Sequence, residues 1–200
     1  MITAVAFDFA GVVSVDPLAG LRAYEAELGL PDNSLAGFMR GDPQMARLEV
    51  GEISARDFLK YICVEAEARH GTRLDIRRVA VGVEWGQQLN PEMVELVGEV
   101  HRRCATALLT NNVREAVDWR GQLPADIFDH IIDSSAVGLR KPSPEIYEEL
   151  LRRLDRPAEE VVFLDDFEEN LPPAAALGIT AIQFTGIDDC RKALSDLGVL

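Results

Sequence analysis

The chain has 200 residues, of which 48% are apolar and 27% charged, with Gly and Pro scattered, so one packed domain or a core with a small lid is expected; disorder and fibrous repeats are excluded. A formal charge of −14 at pH 7 makes a nucleic-acid backbone or an anionic membrane surface an unfavourable partner. The opening MITAVAFDFAGVV has no basic segment and carries Asp8 in its middle, which argues against a signal peptide, and no run approaches the length of a membrane span. Cys63, Cys104 and Cys190 are too few and too spread for a disulfide framework or a zinc site; they are expected to be reduced packing residues of a cytoplasmic protein.

Taken in chain order, the first apolar run is Thr3–Phe7, a predicted strand that leads into Asp8. Residues 16–88 carry no comparable run and are predicted as amphipathic helices. Ser54 and Asp57 resemble a capping box ahead of ARDFLKYICVEAEARH, with Phe58, Ile62 and Cys63 at helical spacing. Asn90-Pro91 and Ser143-Pro144 each read as an N-cap followed by the first helical residue. Ala105–Leu109, His130–Ile132, Val161–Leu164 and Ile179–Phe184 are further short apolar runs, and Leu171–Leu177 is a helix that Gly178 is placed to stop. Strands apolar on both faces and alternating with helices predict an α/β fold: a doubly wound parallel sheet formed by residues 1–15 and 89–200, with residues 16–88 inserted after the first strand as a small helical cap.

The polar residues at the strand ends carry the chemistry. Strand one runs into Asp8, strand two into Thr110 and Asn111, strand three leads to Lys141, and strand four ends in Asp165 and Asp166. In a parallel sheet these ends share one edge, so the three carboxylates converge there and need a cation. Oxygen-only ligands suit Mg²⁺. Lys141, the Thr110 hydroxyl and backbone N–H groups near Asn111 suit the oxygens of a phosphoryl group, and Asp8 is then a nucleophile toward phosphorus. Each residue alone has a bland alternative: a turn aspartate, an exposed lysine, a solvated acidic helix start. Only their order along the chain argues against those.

Four segments, VAFDFAGVV (Val5–Val13), ALLTNN (Ala107–Asn112), VGLRKPSPEIY (Val137–Tyr147) and VVFLDDFEEN (Val161–Asn170), together resemble the haloacid dehalogenase-like (HAD) hydrolases, in the subfamily with a helical cap after the first strand. The third and fourth are similar to the amino-terminal phosphatase domain of soluble epoxide hydrolases and to bacterial sugar-phosphate phosphatases. The resemblance implies Mg²⁺ as cofactor and a small phosphorylated metabolite as substrate. It makes Asp8 the nucleophile and a metal ligand, and the Ala10 backbone carbonyl a second ligand. Thr110 and Asn111 become the phosphate-binding pair and Lys141 the residue steadying the phosphoryl group; Asp166 becomes the main distal metal ligand, Asp165 its supporting carboxylate and Asn170 a supporting polar residue.

One position departs from the pattern. Phosphatases of the family usually carry an acid/base aspartate where this chain has Ala10. Three explanations are open: an acid from the cap, such as Asp42 or Glu84; a leaving group that needs little protonation; or a protein that binds phosphorylated ligands without turnover. A 2-haloacid dehalogenase is a further alternative, since those relatives also lack the second aspartate, though they work without metal. Cap residues decide the substrate, and Arg22, Arg40, Arg47, Arg56 and Trp85 are the ones that could face the cleft, although helical spacing alone does not say which do and each is more often a surface or packing residue. His70, His101 and His130 are isolated and take no role, and oligomeric state is not readable from these patterns.

Overall fold

A computed structural model of the chain describes residues 1–83, 88–116 and 119–200. Five apolar segments, β1 (Ala4–Phe7), β2 (Ala105–Thr110), β3 (His130–Asp133), β4 (Val161–Asp165) and β5 (Thr180–Gln183), form a parallel sheet in the order β3-β2-β1-β4-β5. β2, β3 and β4 each run one residue past their apolar stretch. The ladder uses backbone groups whatever the side chain, so Thr110 pairs with Asp133 and Asp165 with Gln183. This matters because it carries the polar residues rigidly to the sheet's edge.

Between β1 and β2 lie α1 (Ala19–Glu27), α2 (Pro43–Glu49), α3 (Ala55–His70), α4 (Ile76–Gly82) and α5 (Pro91–His101). After β3 come α6 (Ser134–Val137), α7 (Pro144–Leu154), α8 (Leu171–Ala176) and α9 (Ile187–Asp196). The period-2 alternation of β1 sorts these helices into two layers. Val5 and Phe7 pack with Met93, Leu96 and Val97 of α5 and with Cys190 and Leu194 of α9, whereas Ala4 and Ala6 pack with Ile146, Tyr147 and Leu150 of α7 and Ala174 of α8. Each large side chain buried this way contributes about 1.5–3 kcal/mol.

Helices α1–α4 bury a third apolar cluster of their own, including Leu21, Tyr24, Leu35, Phe38, Phe58, Ile62 and Val79. Small residues allow α1 and α4 to touch: a Cβ on Gly82 would stand 3.1 Å from the Leu21 Cα. The two chain segments joining this insertion to the sheet run side by side. Ser14 and Leu89 form an antiparallel bridge, the Val15 N–H donates to the Gln88 carbonyl (2.9 Å), and the Asn90 N–H donates to the Val13 carbonyl (2.9 Å).

Caps differ in detail from the sequence pattern. Asn90 Oδ1 accepts from the N–H groups of Glu92 and Met93, and Ser54 Oγ accepts from the Asp57 N–H. Asp57 bonds the Ser54 hydroxyl rather than its backbone N–H, so the reciprocal half of a capping box is absent. Ser143 occupies the N-cap position of α7, but its side chain makes no capping bond; the helix start rests on Pro144 instead. Among the described residues, no helix is long and apolar enough to cross a membrane.

Candidate active site

The rim of the sheet is organised around Lys141. Asp8 directly follows β1, and its N–H still donates to the Leu164 carbonyl of β4 at 2.8 Å, which fixes where its carboxylate starts. The Lys141 ammonium lies 2.6 Å from Asp8 Oδ1 and 2.6 Å from Asp165 Oδ2. All three residues are buried, with Lys141 only 2% exposed. The second Asp165 oxygen accepts from the Phe167 N–H (2.8 Å) and from Asn170 Nδ2 (2.9 Å), so that carboxylate is held on both sides. Asn170 is held in turn by the Tyr147 hydroxyl, which donates to its carbonyl at 2.7 Å.

Asn111 sets the backbone from which Lys141 reaches in. The Lys141 N–H donates to Asn111 Oδ1 and Asn111 Nδ2 donates to the Lys141 carbonyl, both at 2.9 Å, next to the cis Lys141–Pro142 bond. Thr110 is buried beside it, its hydroxyl donating weakly to the Asn111 carbonyl at 3.4 Å. Opposite, the chain leaves Asp8 in one wide turn, Phe9–Val13, closed by the Ser14 N–H on the Phe9 carbonyl (2.7 Å). Gly11 in that turn has φ +84°, and a Cβ there would come 2.8 Å from Asp166 Oδ2.

The charges do not balance. One oxygen from each of Asp8, Asp165 and Asp166 lies within 4.8 Å of the others, and among the described residues one ammonium, that of Lys141, is bonded to two of the three. Burial first, then Asp165 and Asp166, push the Asp8 carboxyl up to about 8 despite Lys141. Burial and the Asp165 charge raise Asp166 to about 6. Burial opposes the Lys141 charge, yet Asp165 and Asp8 overcome it and hold the lysine above its ordinary range. Asp166 Oδ1 is buried and makes no hydrogen bond among the described residues. An oxygen-only donor set, an excess of negative charge and one unpartnered buried oxygen together fit a hard divalent cation such as Mg²⁺.

Asp8 and Lys141 open into a cleft of about 900 Å³, its solvent mouth included, between the sheet rim and the helical insertion, with Asp165 and Asp166 not in its lining. Asp8, Ala10, Thr110, Asn111, Lys141 and Asn170 line it, so those sequence-predicted residues do meet in one place. Of the cap residues singled out above, Arg40 lines the cleft, with its guanidinium 4.9 Å from the Phe167 ring centre. Arg22 is instead paired with Asp16 and Arg47 with Glu52, and neither they nor Arg56 line the cleft, because helical periodicity turns them to solvent. Asp42 is also removed as a substitute acid: it caps α2, accepts from the Tyr61 hydroxyl at 3.0 Å and does not line the cleft. Glu84 and Trp85 lie outside the described residues.

Among the cleft residues that escaped the sequence reading, Glu49 and Arg140 form a pair. Glu49, the last residue of α2, is 6% exposed and accepts from Arg140 Nε at 2.6 Å, while its carbonyl accepts the Ser134 hydroxyl at 2.7 Å. Burial lifts its carboxyl above the ordinary value, with Arg140 opposing. The pair ties the insertion to the loop that carries Lys141.

Comparison with known proteins agrees with this architecture. Residues 2–178 match the family described as "Hydrolase: haloacid dehalogenase-like hydrolase". Similar curated proteins include bifunctional epoxide hydrolase 2 of Rattus norvegicus, 30% identical over 96% of this chain and 37% of the relative. Acyl-CoA dehydrogenase family member 10 of Mus musculus is 30% identical over 98% of this chain but only 19% of the relative, so the chain spans a minor part of these proteins' length. Protein CbbY of Cereibacter sphaeroides is 32% identical over 62% of this chain and 61% of its own length. Among solved structures, a HAD-family enzyme of Bacteroides thetaiotaomicron in complex with magnesium and inorganic phosphate superposes with a TM-score of 0.67 at 19% identity, covering 92% and 94% of the two chains. A dehalogenase structure superposes with a TM-score of 0.70 at 16% identity, covering 92% and 85%. With its motifs in sequence order, its parallel sheet and a match across most of its length, the chain belongs to the haloacid dehalogenase-like hydrolase family.

Proposed function

We propose that the protein is a Mg²⁺-dependent phosphatase of small phosphorylated metabolites, working through an aspartyl phosphate on Asp8. The observation that carries this reading is the Lys141 ammonium bound between Asp8 and Asp165, with the unpartnered Asp166 Oδ1 beside them. Asp8, Asp165, Asp166 and the Ala10 carbonyl are the groups that would hold the ion; when bound, it neutralises the carboxylates and draws charge from the phosphoryl oxygens. An Asp8 oxygen attacks phosphorus and the bond to the leaving oxygen breaks, its electron pair departing on that oxygen. Water then attacks the phosphorus of the aspartyl phosphate, releasing inorganic phosphate and restoring Asp8. Lys141 fixes the attacking carboxylate and offsets phosphoryl charge, and Thr110 with the backbone near Asn111 donates to the non-bridging oxygens.

Helices α1–α4 act in this reading as the cap that shields the reaction from water. The three free cysteines suit a reducing, cytoplasmic setting, and the net charge of −14 disfavours nucleic acid as a partner. The test is 4-nitrophenyl phosphate turnover, expected with Mg²⁺ and lost in EDTA and in Asp8→Asn. Turnover that survives Asp8→Asn overturns the nucleophile; chloride release from a 2-haloacid in EDTA replaces this reading by the dehalogenase one. Ala10 favours a second reading, a phosphate-ligand binder without turnover. That reading predicts Mg²⁺-dependent calorimetric binding of a phosphate ester with no phosphate released.

A further inference from the structure

The wall facing Asp8 is apolar. The insertion and the loop after β2 contribute Pro17, Leu18, Met39, Met45, Val83 and Val113 to the cleft, and all but Pro17 also belong to the insertion's own apolar cluster. Of the charged groups on that side, Glu49 is committed to Arg140, and Arg40 lies against the Phe167 ring. A sugar or polyol lying against these six side chains would bury hydroxyls without partners there, its hydrogen bonds resting on the other lining groups, Arg40, Asn112 and Glu169. The two methionines instead offer a polarizable, adaptable surface to rings and alkyl chains.

Ala10 adds the second half of the argument. With a methyl group where a carboxyl would protonate the leaving oxygen, an alcohol must depart as a high-energy alkoxide, whereas a phenol departs as a stabilised anion. Resting on the phosphatase reading above, we propose that the cleft is built for aryl phosphates: apolar aromatic esters whose leaving group needs no proton from the protein. The Asp8 oxygen–phosphorus bond forms as the phosphorus–phenolic oxygen bond breaks. The phenolate leaves with the electron pair and takes a proton from solvent. The missing base also slows attack by water on the aspartyl phosphate, so that second step limits kcat while kcat/KM reports the first.

Two measurements on the Mg²⁺-loaded full chain test this. In a series of ring-substituted phenyl phosphates, kcat/KM falls at least about 100-fold from 4-nitrophenyl to unsubstituted phenyl phosphate, and Ala10→Asp reduces that spread to within about tenfold. A wild-type series flat within about tenfold overturns the proposal, because it means that another acid, Glu49 being the buried carboxyl in the wall, delivers the proton. In the second arm, benzylphosphonate competes with substrate, or displaces a phosphate-mimic probe, at least about tenfold more tightly than glycerol phosphonate, and Met39→Gln together with Met45→Gln narrows the gap. Equal or tighter binding of the polyol overturns it. Because the phosphonate arm reads the cleft without turnover, and Asp8→Asn reads the nucleophile without reference to the leaving group, failure of the substrate class and failure of the phosphatase reading give different patterns.

Discussion

Buried carboxylates occur in two regions of this molecule, and their company differs. Glu25 in α1 is 3% exposed and accepts from the backbone N–H groups of Asn33 (3.2 Å), Leu35 (2.5 Å) and Ala36 (2.7 Å), so every oxygen is satisfied within the insertion. At the sheet rim, Lys141 bonds two of three clustered carboxylates, and among the described residues the buried Asp166 Oδ1 has no partner. A buried charge with a complete set of donors fixes the shape of a loop. One with an incomplete set costs stability and persists where something else completes it.

That contrast can be broken in several ways, beginning with the largest expected effect. Lys141→Met removes the sole ammonium and leaves the carboxylates uncompensated, so urea denaturation without Mg²⁺ should show a loss of about 3–5 kcal/mol; an unchanged midpoint would mean that the rim carries no electrostatic strain. Mg²⁺ at about one hundred times its dissociation constant should stabilise the wild type by about 2.7 kcal/mol, and Asp166→Asn should abolish most of that gain. A thermal scan that responds equally in both proteins removes Asp166 from the ion's ligands. Glu25→Gln should cost about 2 kcal/mol of stability, since an amide N–H₂ replaces an oxygen that accepts backbone N–H bonds, yet leave kcat/KM unchanged. Altered kinetics there would erase the distinction between the two regions.

Glu49 stands between the two cases and should give the smallest effect. Burial lifts its carboxyl above 4.5, so the folded chain holds that proton more tightly than the unfolded one. Below pH 4.5 both states are protonated; as the pH climbs above it, the fold loses stability through this group until the folded carboxyl has also ionised. The stability of the wild type relative to Glu49→Gln should therefore decline as pH rises from 4.5, by chemical denaturation at fixed salt. A relative stability that grows with pH would show that Arg140 outweighs burial.

The comparison also explains what the sequence made legible. Strands buried on both faces are near-continuous apolar runs, and their polar terminators are conspicuous because nothing interrupts Val161–Leu164 and only Thr106 interrupts Ala105–Leu109. Asp8, Lys141 and Asp165 are distant in the chain but stand at strand ends or soon after them, so topology alone assembles them. The insertion hides its interactions better. Glu25 lies four residues after Leu21, on the buried stripe of α1, but its partners come from a loop with no periodicity. Glu49 meets Arg140 across 91 positions, and a short helix such as α2 gives too few turns to separate its inner from its outer face. The arginines of the insertion were ambiguous because a side chain turned away from the core can face either solvent or the cleft: of Arg22, Arg40, Arg47 and Arg56, only Arg40 lines the cleft.

The paired backbone at residues 13–15 and 88–90 makes the insertion's entry and exit neighbours in space. Chain added or removed beyond that bridge leaves the spacing of the sheet untouched, because the bridge already fixes where both ends must return. A tight hairpin turn between Val15 and Gln88 closes the shortened chain with the geometry already present. The insertion is in this sense a detachable cassette, exchangeable while the frame of the sheet stays in place.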